Sequence, residues 1–154
     1  MRGGDRPDGT ILYTIGYEVL PPALLVAELE GVGVRRLIDV RYRPQSRRAG
    51  MSKTKLGLRL GEHGIAYEHR RTLGTPPEIR VHYKAGRVAE GRRAFAAHIE
   101  ATAADELDVL AAELIADAPP TVLMCLEAGA AQCHRAVLAD VLVARQPSLE
   151  VVDL

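Results

Sequence analysis

Apolar and polar positions along this chain switch repeatedly between a period of two and a period near 3.6. Ile11 to Ile15, ILYTI, is a short β-rich apolar run ended by Gly16 and predicts a first strand. Pro21 and Pro22 then open a helical pattern in which Leu24, Leu25, Ala27 and Leu29 recur until Gly31 and Gly33 stop it. Leu37 to Val40 predicts a second strand. Tyr42 to Gly50 contains Pro44, Gln45, Ser46 and Gly50, all loop formers, and Ser52 then offers an N-cap to a helix with Leu56, Leu58 and Leu60, closed by Gly64. Ile65 to His69 predicts a third, shorter strand, followed by a long turn-rich region through Thr72, Gly74, Pro76 and Pro77.

From Val88 to Asp117 the chain is rich in Ala, Glu and Leu, with Phe95, Ile99, Leu107, Leu110, Leu114 and Ile115 as apolar positions, which reads as one bent helix or two. Pro119 and Pro120 end it. Val122 to Leu126 predicts a fourth strand, and the residues from Cys133 onward a last helix with Val137, Leu138, Val141 and Leu142 on one face. Leu149 to Val152 predicts a final strand. Strands alternating with helices imply an α/β fold: a mostly parallel sheet of four or five strands with helices on both faces. Neither an internal repeat nor a low-complexity segment interrupts this order.

With 154 residues, 47% of them hydrophobic, the chain suits one compact domain over residues 10–154. Residues 1–9, MRGGDRPDG, lack an apolar core and read as a disordered tail, neither a signal peptide nor a presequence. The longest apolar runs are broken by Glu113 and Asp140, so no segment is expected to span a membrane. Two cysteines without an export signal point to reduced thiols in the cytoplasm rather than a disulfide framework. Charge adds an asymmetry. Nine Arg and Lys residues between Arg35 and Arg59 face one acid, Asp39, while ten acids between Glu100 and Leu154 face only Arg135 and Arg145. That pattern favours a basic patch for an anionic partner, against the simpler reading that the two halves attract each other.

The densest chemistry lies in Thr121 to Asp140, where an apolar run delivers Cys125, Glu127, Cys133, His134 and Arg135 within eleven residues. In a parallel sheet the loops at the carboxyl ends of the strands build the site. Tyr17 follows the first strand, Asp39 and Arg41 end the second, and Cys125 ends the fourth, so these residues converge if the strands are neighbours. Cys133 opens the last helix, where the helix dipole and nearby cations favour a thiolate; the alternative for either cysteine is a small residue packed under the helix. Glu127 suits a general base or a partner for Arg135. Asp39 suits holding Arg41 or Arg135 in place, and Arg41, Arg47, Arg48 and Lys53 suit gripping phosphates. Phosphatase-type loops that place a cysteine after a strand need an arginine six residues on. Here that position is Ala131, and Arg135 comes ten residues after Cys125, so the direct analogy fails. A metal could use Cys125, Cys133 and His134 with His63, His69 or His82, but adjacent Cys and His rarely reach one ion and neither C-x-x-C nor H-x3-H is present, so no metal ligand is assigned.

The blocks Thr14-Ile15-Gly16-Tyr17-Glu18, Asp39-Val40-Arg41, Pro44-Gln45-Ser46-Arg47, Cys125-Leu126-Glu127 and Cys133-His134-Arg135 resemble, in order and spacing, a family catalogued as domain of unknown function 488. The resemblance covers nearly the whole chain. It implies a compact α/β domain whose motif residues cluster, and no established activity. The chain departs from the family pattern at Gly74-Thr75, where a second glycine is common, and at His98, where an aromatic often sits.

The leading expectation is a small cytoplasmic enzyme acting on an anionic, phosphate-bearing substrate such as a nucleotide or nucleic acid. Cys133 or Cys125 would serve as thiol, Glu127 or His134 would move protons, and Arg41, Arg47, Arg135, Tyr17 and Asp39 would form the anion site. A non-catalytic module presenting residues 35–59 to nucleic acid or an acidic protein is the alternative, and a metal site at the cysteines the third reading. With one Phe and no Trp, stacking of bases would fall to Tyr17, Tyr42 and Tyr67. The residues name no cofactor.

Overall fold

The structure, a computed structural model, describes residues 9–127, 129 and 133–154. Except for Gly9, the tail expected over residues 1–9 lies outside them. Five strands, β1 (Thr10–Gly16), β2 (Arg36–Asp39), β3 (Ala66–His69), β4 (Thr121–Cys125) and β5 (Leu149–Asp153), form one sheet in the order β3-β2-β4-β1-β5. Every pairing is parallel. The helices are α1 (Pro22–Gly31), α2 (Lys53–Glu62), α3 (Pro77–Lys84), α4 (Val88–Thr102), α5 (Ala104–Ile115) and α6 (His134–Arg145).

Residue alternation along each strand divides the core in two. Leu12, Ile38, Leu123 and Cys125 pack with α3 to α6, around Phe95, Ile99, Leu107, Leu110 and Leu138. Ile15, Leu37, Val122 and Met124 pack with α1 and α2, around Leu25, Leu29, Leu56 and Leu60. Both sheet faces are therefore covered, as the near-continuous apolar strands require. The strand order explains this division. From β1 the chain steps over to β2 and on to β3 through α1 and α2; it then returns to β4 and passes to β5 through α6. Since parallel crossovers share one hand, reversing direction moves the helices to the other face.

The expected elements are present with shifts of one or two residues, and three differences have physical causes. Leu24 and Leu58, counted among the apolar helix positions, are exposed at 53% and 66%, because Leu25/Leu29 and Leu56/Leu60 carry the i, i+4 faces. The stretch from Val88 resolves into two helices that part at the buried Ala103, with Asp105 and Glu106 suiting the start of the second. The region read as turns after Gly74 contains α3, which Pro77 opens at its first turn and Ile79 anchors in the core. The chain reaches α3 past Tyr42 so closely that a Cβ on Gly74 would lie 2.5 Å from the Tyr42 Cα. No described helix is long and apolar enough to cross a membrane.

Candidate functional site

The carboxyl ends of β1, β2 and β4 lie side by side, with Gly16 opposite Cys125 and Asp39 opposite Met124. Backbone pairing carries on past the strands, from Tyr17 N to Cys125 O (3.2 Å) and from Val40 N to Met124 O (3.0 Å). Chains leaving β1 and β2 turn to one face and the chain leaving β4 to the other. Such a point of divergence leaves a crevice beyond the strand ends. A cleft of about 610 Å³ occupies it.

Arg41, Arg43, Arg47, Arg48 and Arg80 line this cleft together with Tyr17, Thr75, Tyr83, Cys125, Cys133 and His134, and Glu127 is the one acid among the described lining residues. Arg41 is the most firmly held. Its Nε donates to Asp39 Oδ1 (2.9 Å), its Nη2 to Oδ2 (2.7 Å), and its Nη1 to Tyr17 Oη (3.2 Å) and Met51 O (2.8 Å). Asp39 is wholly buried and also accepts a hydrogen bond from Tyr67 Oη at 2.5 Å. Burial pulls the Arg41 guanidinium down, but hydrogen bonds and charge from Asp39, with Tyr17, outweigh it and leave Arg41 above its ordinary pKa. Burial, then Asp39, pushes Tyr67 up. Asp39 thus stands behind the cleft as the partner that fixes Arg41.

The loop bearing Arg43, Arg47 and Arg48 is tied at several points. Ser52, the residue before α2, does not cap that helix with its side chain; its Oγ accepts instead from Ser46 N (3.0 Å), and Ser46 Oγ accepts from Arg48 N (3.1 Å). Arg48 reaches across to the end of β1, where its Nη1 donates to Glu18 O (2.7 Å) and Tyr17 O. Arg43 and Arg47 are exposed. On the opposite wall, Thr75 Oγ1 and Tyr83 Oη are buried and have no hydrogen-bond partner among the described residues. Buried hydroxyls in that state are poorly accommodated without a ligand or water.

At the floor, Cys125 Sγ and Cys133 Sγ are joined as a disulfide, with Cα atoms 7.4 Å apart. This corrects the expectation of reduced thiols. The end of β4 and the residue that caps α6 point into the same space, so two cysteines eight positions apart in sequence meet there. Glu127 Oε2 lies 3.5 Å from Cys125 Sγ. His134 Nε2 sits 2.8 Å from Val40 O and so must carry the proton it donates there, which leaves Nδ1 facing Cys133 Sγ at 3.6 Å. Burial chiefly, with Arg135 and Arg80 nearby, pushes His134 down to about 4 against the pull of the Val40 carbonyl. Phe95 closes its other side edge-on at 5.2 Å. The imidazole is neutral near pH 7.

Arg135 departs from its expected role as a direct anion ligand. It is fully buried, outside the cleft lining, and donates to Thr14 Oγ1 (3.3 Å), Cys125 Sγ (3.1 Å) and Glu127 O. Burial lowers its pKa, while Asp153 and Glu127 work against that. Its charge lies under the sulfur pair. The structure also brings Cys125, Cys133 and His134 within 4.8 Å of one another, which adjacency in sequence had argued against. Cys133 has extended backbone and His134 is helical, so their side chains turn to one side. His63, His69 and His82, considered as completing ligands, do not join that group.

Sequence reasoning missed Thr75, Arg80 and Tyr83. The signal was present in the Pro76-Pro77 pair followed by Ile79 and Tyr83, the same proline entry that announces α1.

Comparison with known proteins adds the family. No curated protein and no solved structure matches the chain. A family model does match, over residues 23–142, which takes in α1 from its second residue, Asp39, the arginine loop, the sulfur pair and most of α6. The chain belongs to the family described as domain of unknown function DUF488.

Proposed function

We propose that the chain is a small enzyme that takes up a phosphate-bearing anion in the cleft and acts on it beside the sulfur pair. The observation that carries this reading is the charge of the walls: five arginines against Glu127. Guanidinium groups gathered around one concavity raise its potential and favour an anion there, and their planar forks match phosphate oxygens. Arg41 supplies a fixed edge, since most of its donors are already committed, and the exposed Arg43 and Arg47 supply open donors. Thr75 and Tyr83 add hydroxyls for the neutral part of a ligand.

In the reduced protein, Arg135 beside Cys125 favours the thiolate. Glu127 is the better placed proton carrier, because His134 is neutral and tied to the Val40 carbonyl. The basic segment supports an extended nucleic-acid face less well. Arg41, Arg43, Arg47 and Arg48 collect at the cleft, whereas Arg36 turns at the other end of β2 to Glu113 and Glu68.

Phosphorus NMR of the reduced protein with phosphate monoesters, diphosphates and short oligonucleotides tests the reading. We expect conversion of at least one class, slowed by Arg47→Ala and Glu127→Gln. Unchanged spectra for every class would overturn the enzymatic part.

A further inference from the structure

We infer that the reduced protein holds a zinc-type divalent cation through Cys125, Cys133 and His134, with a fourth coordination position left open to the arginine cleft and Glu127 beside it. Tetrahedral zinc has Zn–S bonds of about 2.3 Å and Zn–N or Zn–O bonds of about 2.0–2.1 Å, which places neighbouring S and N or S and O ligands about 3.5 Å apart. The separations here are 3.6 Å from Cys133 Sγ to His134 Nδ1 and 3.5 Å from Cys125 Sγ to Glu127 Oε2. The ligand atoms of Cys125, Cys133 and His134 all lie within 4.8 Å of one another.

Two further features point to an ion. A histidine that ligates a metal through one nitrogen usually donates the other N–H to a carbonyl or carboxylate, which fixes the ring and its tautomer. The Val40 carbonyl does this for His134, 2.8 Å from Nε2, and aims Nδ1 at the sulfurs. The Cα atoms of Cys125 and Cys133 stand 7.4 Å apart on two separate elements, the end of β4 and the start of α6, so that cleavage of the S–S bond leaves two thiols facing the same space. That spacing suits two thiolates on one ion, whose sulfurs would sit about 3.8 Å apart. Charge also closes: the two thiolates match the two charges of the cation, and Glu127, 3.5 Å from Cys125 Sγ, offsets Arg135, 3.1 Å from the same sulfur. Cysteine with histidine selects zinc and its chemical neighbours over magnesium or calcium.

Uptake follows reduction. A phosphine reductant cleaves the S–S bond and is itself oxidised, so that disulfide, phosphine and water give two thiols and a phosphine oxide, and each thiol releases its proton on binding the cation.

The test loads the phosphine-reduced full chain with Zn²⁺ or Co²⁺ and removes excess by gel filtration. We expect one equivalent per chain by elemental analysis, thiolate-to-cobalt charge-transfer bands with strong tetrahedral d–d absorption, and alkylation of both cysteines slowed at least tenfold by Zn²⁺. Cys133→Ser is expected to weaken zinc by at least tenfold. Alkylation of the wild-type chain needs no variant, so a Cys133→Ser protein that fails to fold leaves the test intact. Less than half an equivalent of metal, or cysteines alkylated equally fast with and without zinc, would overturn the site. Neither readout involves a phosphate ligand, so failure here is separate from failure of anion binding in the cleft.

Discussion

Arg41 grips Asp39 through two parallel hydrogen bonds, Nε to Oδ1 at 2.9 Å and Nη2 to Oδ2 at 2.7 Å, with the carboxylate fully buried. Removing one partner of such a pair leaves the other as an uncompensated buried charge, which typically costs about 3–5 kcal/mol. Arg41→Met is therefore expected to lose stability on that scale in urea unfolding. A loss under about 1 kcal/mol would mean that water reaches Asp39 and that the pair does not fix the wall of the cleft.

Arg47 belongs to the same wall with the opposite balance. It is exposed, so Arg47→Ala should change stability by no more than about 0.5 kcal/mol. Loss of one charge-assisted contact to a phosphate, worth about 1.5–3 kcal/mol, should lower anion affinity roughly ten- to a hundredfold. Calorimetric titration beside a melting curve separates the two effects. A variant that unfolds easily yet binds normally would invert this assignment.

Thr75 offers a trade between folding and binding. Its hydroxyl is buried without a partner among the described residues, and Val has nearly its shape. Thr75→Val is expected to leave the ligand-free protein as stable or up to about 1 kcal/mol more stable, while weakening an anion that also carries hydroxyl groups. Should Thr75→Val destabilise the free protein by more than about 1 kcal/mol, the hydroxyl has a structural partner instead.

Tyr67 gives a pH dependence. Burial and the hydrogen bond to Asp39 raise its folded pKa above the unfolded value near 10. The neutral phenol is then favoured by folding, so its contribution is complete below about pH 10 and is lost as pH rises above that value, where the unfolded chain ionises first. Ultraviolet titration should show two tyrosinates appearing late in the native protein, those of Tyr67 and of Tyr83, which burial also pushes up, and only the Tyr67 signal should vanish in Tyr67→Phe. Tyr67→Phe should flatten the alkaline loss of stability; an unchanged slope would assign that loss to other groups.

Gly74 is required by packing, because an added Cβ would meet the Tyr42 backbone at 2.5 Å from Cα and 2.6 Å from N. Gly74→Ala should cost about 1–3 kcal/mol, as overpacking usually does. Since Tyr42 and Thr75 both line the cleft, anion affinity should fall too. Wild-type stability in this variant would show that the two segments part easily.

Much of this was legible in the chain because it rests on local patterns. Strand runs such as Leu37 to Val40, the Pro21-Pro22 entry and the apolar face of α6 each announce one element, and alternation of elements implies the parallel sheet. Cys125, Cys133, Tyr17 and Arg41 could be placed at one edge because strand ends share it. Geometry across the cleft was less accessible. Nothing in the spacing says that Arg135 lies under the sulfurs rather than in the cleft, that the cysteines meet, or that α3 brings Thr75, Arg80 and Tyr83 to the far wall. Those facts depend on β4 lying between β2 and β1 and on how α3 packs, which are long-range consequences of the topology. The two-halves attraction suggested by charge reduces, among the described residues, to Arg36 meeting Glu113.

Binding of a phosphate-bearing anion in the arginine-lined cleft is the step on which the proposed chemistry depends. Calorimetric titration of the protein with pyrophosphate at low and moderate salt, beside an Arg43→Ala/Arg47→Ala variant, measures that binding. Saturable binding of one pyrophosphate per chain is expected, weakened by salt and lowered at least tenfold in the variant. No saturable heat at millimolar pyrophosphate, or equal affinity in the variant, would mean that the cleft is not an anion site.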